Sequence, residues 1–291
     1  MKKLLLSAFV ICLAGTSIAQ ESPLWMRHCA LSPDGTTIAF TYKGDIYTVP
    51  STGGRATQIT TNPAFDTEPV WSPDSKQIAF ASDRMGSLDV FVVSSEGGAP
   101  QRLTTHSGSE KPVAYKDNKH ILFTANIAPS AEDAGFPSGQ FQQVYEVAVT
   151  GGRPAMFSSM PMECISINKE GVMLYQDKKG YEDYWRKHQV SPIARDIWTY
   201  TPGKKPVYQK QTTFGGEDRE PVWSPDGKSF YYLSEEKGSF NIFQRTPGTT
   251  TSQQITFHTK HPVRFLSIST TGTLCYGYDL SLIHISEPTR R

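Results

Sequence analysis

Glu68, Lys111, Glu220 and His261 stand at matching points of a recurring pattern, each at the head of a segment that reads as a β-strand. Two carboxylates, an ammonium and an imidazole gathered around one opening would do electrostatic chemistry. They would attract, orient or refuse a charged peptide without breaking a bond. They lie tens of residues apart, so only a fold that brings strand starts to one place can assemble them. The plainer account is that they are solvated strand ends, where exposed charges are common. A second group, Trp185, Arg186 and His188, belongs to the run Tyr181 to His188 inside a long insertion. Those side chains suit contact with a ligand or a neighbouring domain, although long loops also pack on a rigid scaffold without binding anything.

Other chemistry is missing from the chain. There is no G-x-S-x-G elbow, no H-E-x-x-H pair and no phosphate-binding glycine loop, so no catalytic residue, metal ligand or cofactor is expected. Repeated S-P-D aspartates lack the clustered D-x-D-x-D spacing of a calcium loop, and turn formation accounts for them. Cys29, Cys164 and Cys275 match no zinc spacing, and each falls in a strand-like segment as a small apolar residue. Being odd in number, they leave at least one thiol unpaired in an exported chain.

The elements that must position the charges come from repetition. E-P-V-W-S-P-D runs from Glu68 to Asp74 and returns, all seven residues identical, from Glu220 to Asp226. Val-Trp favours a strand. Ser-Pro-Asp supplies turn chemistry, because proline presets φ and aspartate bonds the backbone that follows. Ile78-Ala79-Phe80 or Phe230-Tyr231-Tyr232 then starts the return strand. Aligned turn residues Asp34, Asp74, Asp117, Lys169, Asp226 and Thr270 are spaced by 40, 43, 52, 57 and 44 residues. Two insertions, Ala125 to Phe141 and the stretch 178–195, explain the long spacings. A period of forty-odd residues holding four short strands marks a β-propeller blade, whose two faces are buried on its neighbours. The expected fold is all-β: a six-bladed propeller of four-stranded antiparallel blades, with five whole blades and a sixth cut after Asp279, its last two strands missing.

Both ends stand outside this pattern. Met1-Lys2-Lys3, an apolar run from Leu4 to Ala14 and small residues through Ala19 read as a signal peptide, residues 1–19, cleaved before Gln20. The propeller then occupies 20–279. The string from Leu280 to Arg290 resembles a translated sequencing adapter, so 280–291 is expected to be foreign to the native chain. Removing Lys2, Lys3, Arg290, Arg291 and Glu287 leaves 25 basic against 27 acidic residues, scattered in sequence. Neither nucleic acid nor a membrane span after signal cleavage is expected from such a chain.

S-P-D-G followed by an apolar strand and an Asp-Ile-Tyr-like strand resembles the Pro-Asp repeat propellers. These occur in tricorn-type serine peptidases, in the propeller of the Tol system and in prolyl-oligopeptidase relatives. Trp185-Arg186-Lys187-His188, Ser191 and Arg195-Asp196-Ile197-Trp198, with P-L-W-M-R from Pro23, resemble the exported bacterial tricorn-like proteases most closely. The resemblance spans Glu21 to Asp279. It implies a non-catalytic N-terminal propeller that admits or holds peptide or unfolded protein for a serine endopeptidase core elsewhere in the full-length polypeptide. The implied location is periplasmic or secreted. Implied partners are peptide substrate, the parent's own downstream domains and a second copy of the chain. The other reading is a stand-alone Tol-type propeller that binds proteins.

Overall fold

The computed structural model describes residues 25–127, 141–180, 190–279 and 281–285. The expected signal peptide and the loop residues Trp185, Arg186 and His188 lie outside these described residues.

Each hairpin forms for local reasons. Ser72 Oγ donates to Asp74 Oδ1 at 2.7 Å and accepts from Gln77 N at 2.9 Å, while Ser75 N bonds Ser72 O at 2.9 Å. The turn is thus closed by its own short polar side chains. The residue after the aspartate takes a left-handed φ, +78° at Gly35, +61° at Ser75 and +68° at Gly227.

The described strands assemble into six antiparallel sheets, five of four strands and one of three. Blade one comprises β1 (Arg27–Leu31), β2 (Thr37–Tyr42), β3 (Asp45–Pro50) and β4 (Thr57–Gln58). Blade two comprises β5 (Asp66–Trp71), β6 (Gln77–Ser82), β7 (Asp89–Ser94) and β8 (Gln101–Arg102). Blade three comprises β9 (Lys111–Asp117), β10 (His120–Ala125), β11 (Gln143–Ala148) and β12 (Ala155–Ser158). Blade four comprises β13 (Met162–Ile167), β14 (Met173–Asp177), β15 (Ile197–Thr201) and β16 (Val207–Lys210). Blade five comprises β17 (Asp218–Trp223), β18 (Phe230–Ser234), β19 (Asn241–Arg245) and β20 (Ser252–Gln254). Blade six comprises β21 (Arg264–Ile268), β22 (Leu274–Tyr278) and β23 (Ser281–Ile285).

First strands touch in a closed cycle, β1 to β5 to β9 to β13 to β17 to β21 and back to β1. This is the six-bladed propeller that the repeat implied. Six apolar clusters fill the six seams between blades; one of them joins Ile46 and Ile59 of blade one to Trp71, Ile78 and Phe91 of blade two. Ile78, Ala79 and Phe80 are wholly buried because each middle strand is covered on both faces. Cross-strand aromatic pairs recur at one register: Phe40–Tyr47 at 5.9 Å, Phe80–Phe91 at 5.9 Å, Phe123–Tyr145 at 5.8 Å and Tyr232–Phe243 at 6.0 Å between centroids.

Blade six differs from the expected cut after Asp279. Ser281–Ile285 pairs along β22 as a third strand, from Tyr278↔Ser281 to Leu274↔Ile285. Its alternation fits a strand between two seams: Leu282 packs toward blade one, while Ile283 and Ile285 pack toward blade five.

Candidate functional site: the axial ring and the blade four–five ion network

The first strand of a blade lines the propeller axis, and here it carries a bulge. In five blades two residues of the first strand oppose one of the second, and the first of the two has a left-handed φ: His28 (49°), Glu68 (55°), Cys164 (51°), Glu220 (50°) and Phe265 (58°). Left-handed geometry is unfavourable for residues with a Cβ by about 1–2 kcal/mol each. Its recurrence shows that the propeller fixes it. The bulge re-aims these side chains toward the first strands of neighbouring blades: His28 meets Phe265, Glu68 meets Lys111 and Glu220 meets Leu266 N. Blade three departs from the rule, with its register shift at Val113, and presents Lys111 at the equivalent place.

The ring thus contains His28, Glu68, Lys111, Cys164, Glu220 and Phe265. Glu68 and Lys111 are bonded to each other, and Glu220 holds in blade five the bulge position that Glu68 holds in blade two. His261 is not with them: it precedes β21, is half exposed, and its Nε2 lies 3.3 Å from Asp279 Oδ1. In blade six the left-handed bulge residue is Phe265, four residues after His261. His28, Cys164 and Phe265 were missed because the bulge leaves no mark in residue type. The available signal was their alignment with the Glu of E-P-V-W.

The ring side chains interact. Lys111 Nζ bonds Glu68 Oε1 at 2.6 Å, and both groups are about one-third exposed. Thr67 Oγ1 lies 2.8 Å from His28 Nδ1, whose ring meets the Phe265 edge at 4.9 Å. Burial holds the His28 pKa below the usual histidine value; Glu68 opposes that shift, and Lys111 and Arg27 reinforce it. Burial also pushes the Cys164 thiol well up, helped by Glu220 and Glu163. At neutral pH His28 and Cys164 are therefore uncharged.

A second concentration of charge borders blades four and five, where R-D-I-W lies. Arg195 Nε reaches Glu163 Oε2 at 3.2 Å and its Nη1 reaches Glu217 Oε1 at 3.4 Å, while Arg219 Nε bonds Glu217 Oε2 at 2.8 Å. Lys178 Nζ is 3.1 Å from Glu163 Oε1. Asp196 accepts from Lys179 and, at 2.8 Å, from Lys210. Trp198 Nε1 donates to Asp177 Oδ2 at 2.9 Å, and Ile197 is wholly buried. The Lys178 and Arg195 cations hold Glu163 below the usual carboxylate value against the opposing effect of burial, the largest single influence on it. The motif therefore anchors both ends of the 178–195 insertion to blades four and five. Among the described residues no group of three His, Cys, Asp or Glu is arranged to hold a metal.

The family model described as the tricorn protease N-terminal beta propeller domain matches residues 23–290. Tricorn protease homolog 1 of Streptomyces coelicolor is 39% identical over 213 residues, which is 72% of this chain and 19% of that protein. The uncharacterized protein Atu1656 of Agrobacterium fabrum is 34% identical over 218 residues, 70% of this chain and 68% of that one. Among solved structures, the tricorn protease superposes with a TM-score of 0.75 at 16% identity over 91% of this chain and 25% of that one. TolB from Acinetobacter baumannii gives 0.59 at 13% identity, over 90% and 63%. These superpositions establish the fold. The chain spans about a fifth of the length of the Streptomyces relative.

Proposed function

The chain belongs to the tricorn protease N-terminal β-propeller family, and from that premise we propose that it admits or holds peptide for a serine peptidase core carried elsewhere in its parent protein. The observation that carries this reading is the ring: five bulged first strands and Lys111 put one side chain per blade on the strands that line the axis. Glu68, Lys111 and Glu220 supply a mixed-charge collar through which an extended peptide would be sorted by its charge. Glu220 is 7% exposed and accepts Leu266 N at 2.8 Å, so it also holds the seam. Reversal of Glu68 and Lys111 is therefore the cleaner probe. In the full-length parent, Glu68→Lys should change the cleavage of long acidic and basic peptides in opposite directions at low salt and leave short peptides unaffected. Unchanged charge preference would remove the collar. The isolated chain should hydrolyse no peptide, and serine-type activity in it would overturn the division of labour.

Export to the periplasm or beyond fits the charge–apolar–small order of residues 1–19. Among the described residues, no helix is long and apolar enough to cross a membrane. Mass spectrometry of the mature N-terminus tests cleavage before Gln20. A second reading, a stand-alone protein-binding propeller, is favoured by the TolB-like fold and by a relative of which this chain covers 68%. Reading the genomic gene beyond Asp279 separates the two. Coding sequence for further domains supports the peptidase reading, and a stop after the sixth blade supports the other. The same read tests whether 280–291 is foreign.

A further inference from the structure

A propeller closes its ring where chain connectivity helps least, between its first and last blades. Among the described residues blade one holds β1–β4 and blade six β21–β23, so no described strand is shared across the closing seam. Side chains must hold it. Thr270 N and Oγ1 both donate to Pro33 O at 2.7 Å, Leu31 N donates to Ser267 Oγ at 3.0 Å, and the Cys29 thiol donates to Phe265 O at 3.2 Å.

Within that seam two sulfurs meet. Cys29 comes from the first strand of blade one and Cys275 from the second strand of blade six. They belong to one apolar cluster with Leu31, Ile38 and Phe40, with Cys29 5% and Cys275 0% exposed. The Cys275 thiol is the first cause of the upward shift of the Cys29 thiol, so the two sulfurs are near neighbours in that cluster. Cys164, by contrast, sits at the axis in blade four. Two strands in different sheets, far apart in sequence, therefore bring two thiols into one apolar cluster at the joint that no continuous run of described chain crosses.

We propose that Cys29 and Cys275 form a redox clasp that links the first blade to the last. Each thiol gives up its proton, and the pair passes two electrons to a disulfide-class oxidant. An S–S bond forms between Cys29 and Cys275 as the oxidant's own S–S bond breaks into two thiols. The bond closes a loop of 246 residues, the span from Cys29 to Cys275, and restricts the unfolded chain most at the joint where the ring would open first. Burial keeps small reagents away from the closed seam, so the clasp forms during folding or when the seam opens, and it resists reduction afterwards. This inference is independent of the peptide-collar reading.

The test is thiol mapping of the whole chain. The protein is refolded from urea in a glutathione redox buffer, free thiols are alkylated in denaturant, and peptides are mapped without reduction. A Cys29–Cys275 linked peptide with alkylated Cys164 is the expected result. Alkylated or glutathionylated Cys29 and Cys275, or pairing of either with Cys164 or Cys12, would overturn the proposal. Protein incubated with diamide in urea below the unfolding midpoint, where the seam opens transiently, should yield the same linked peptide. Oxidation should shift the urea midpoint upward in the parent chain and in Cys164→Ser. The shift should vanish in Cys275→Ser and on reduction. An equal shift in Cys275→Ser would also sink the clasp.

Discussion

Blades two and five carry the same seven residues in the same hairpin, yet the two copies do different physical work. Glu68 and Glu220 share a left-handed bulge, at φ 55° and 50°. Glu68 meets the Lys111 ammonium across a partly exposed gap. Glu220 is buried and accepts the backbone N–H of Leu266 in blade six, while its own N–H donates to Gln176 Oε1 at 2.9 Å. The strand-start aspartates diverge as well. Asp66 is gripped by Arg84, whose Nη2 lies 2.9 Å from both of its oxygens and whose guanidinium covers Phe91 at 4.5 Å. Asp218 has Glu236 where Asp66 has Arg84; burial, with smaller contributions from Asp196 and Glu236, pushes its carboxyl up to about 7. The repeat fixes the backbone, and the neighbouring blade decides what each side chain must do.

Removing Arg84 should break the comparison most severely. Arg84→Met leaves Asp66, fully buried, without its cation. Stranding one partner of a buried pair costs roughly 3–5 kcal/mol, read as a lower urea midpoint at pH 7. The blade-five counterpart, Glu236→Met, removes a negative neighbour of Asp218 and should be neutral or mildly stabilising. Equal losses in the two blades would show that the arginine is incidental.

Next in size is the contrast between the two glutamates. Glu220→Ala removes the acceptor of Leu266 N at the seam, and an orphaned buried donor costs about 1–3 kcal/mol. Glu68→Ala removes a partly exposed ion pair worth about 0–1 kcal/mol. The two should therefore differ clearly in chemical denaturation, with high salt narrowing only the Glu68 effect. A Glu68→Ala loss as large as that of Glu220→Ala would erase the distinction between collar and seam.

The pH dependence sharpens the aspartate pair. The folded Asp218 carboxyl, at about 7, lies above its unfolded value near 3.9. The folded state therefore holds a proton that the unfolded chain gives up. Its contribution is fully present below pH about 4, declines as the pH climbs, and is gone once the pH passes about 7. Each unit of difference is worth about 1.4 kcal/mol, so the decline is on the order of a few kcal/mol. Asp218→Asn should flatten the stability profile across that window without changing the blade. A slope unchanged by Asp218→Asn would place the titration elsewhere.

How much of this was legible in the sequence follows from what repetition records. E-P-V-W-S-P-D gave the hairpin, its register mark and the blade count, because turn chemistry and strand burial are local. What escaped depends on neighbours far along the chain. Nothing in Glu220 itself says that Leu266 N will meet it, 46 residues later. His261-Pro262-Val263 matches the start of E-P-V-W in residue type, while the bulge of blade six lies at Phe265, inside the strand that pairs with β22. The string after Asp279 supplied a third strand that the turn pattern did not anticipate, because any alternating apolar run of suitable length can pair with an open edge. R-D-I-W was visible as a family mark, but its work, joining Glu163 to Glu217 through Arg195, needs two blades in place.

The smallest test exchanges the one turn residue in which the twin hairpins differ. Ser75 holds φ +61° and Gly227 holds φ +68°. A left-handed residue with a Cβ is strained by about 1–2 kcal/mol, and glycine loses about 0.5–1 kcal/mol more backbone freedom on folding. The two contributions largely cancel, so the neighbours decide. Ser75 Oγ accepts from Asp34 N of blade one at 3.2 Å, an exposed bond that Ser75→Gly gives up. That substitution should be neutral to within about 0.5 kcal/mol. At Gly227 a new Cβ would come within 3.4 Å of Glu170 Oε2, so that carboxylate end must give way, and the Asn168 amide, 3.7 Å from the Cβ, offsets only part of the cost. Gly227→Ser should therefore destabilise by about 0.5–1 kcal/mol, measurable as a small fall in urea midpoint. If Ser75→Gly proves the costlier change, the bond from Asp34 is part of what orders the blade one–two seam. The polar turns on that face would then rank with the apolar clusters in holding neighbouring blades together.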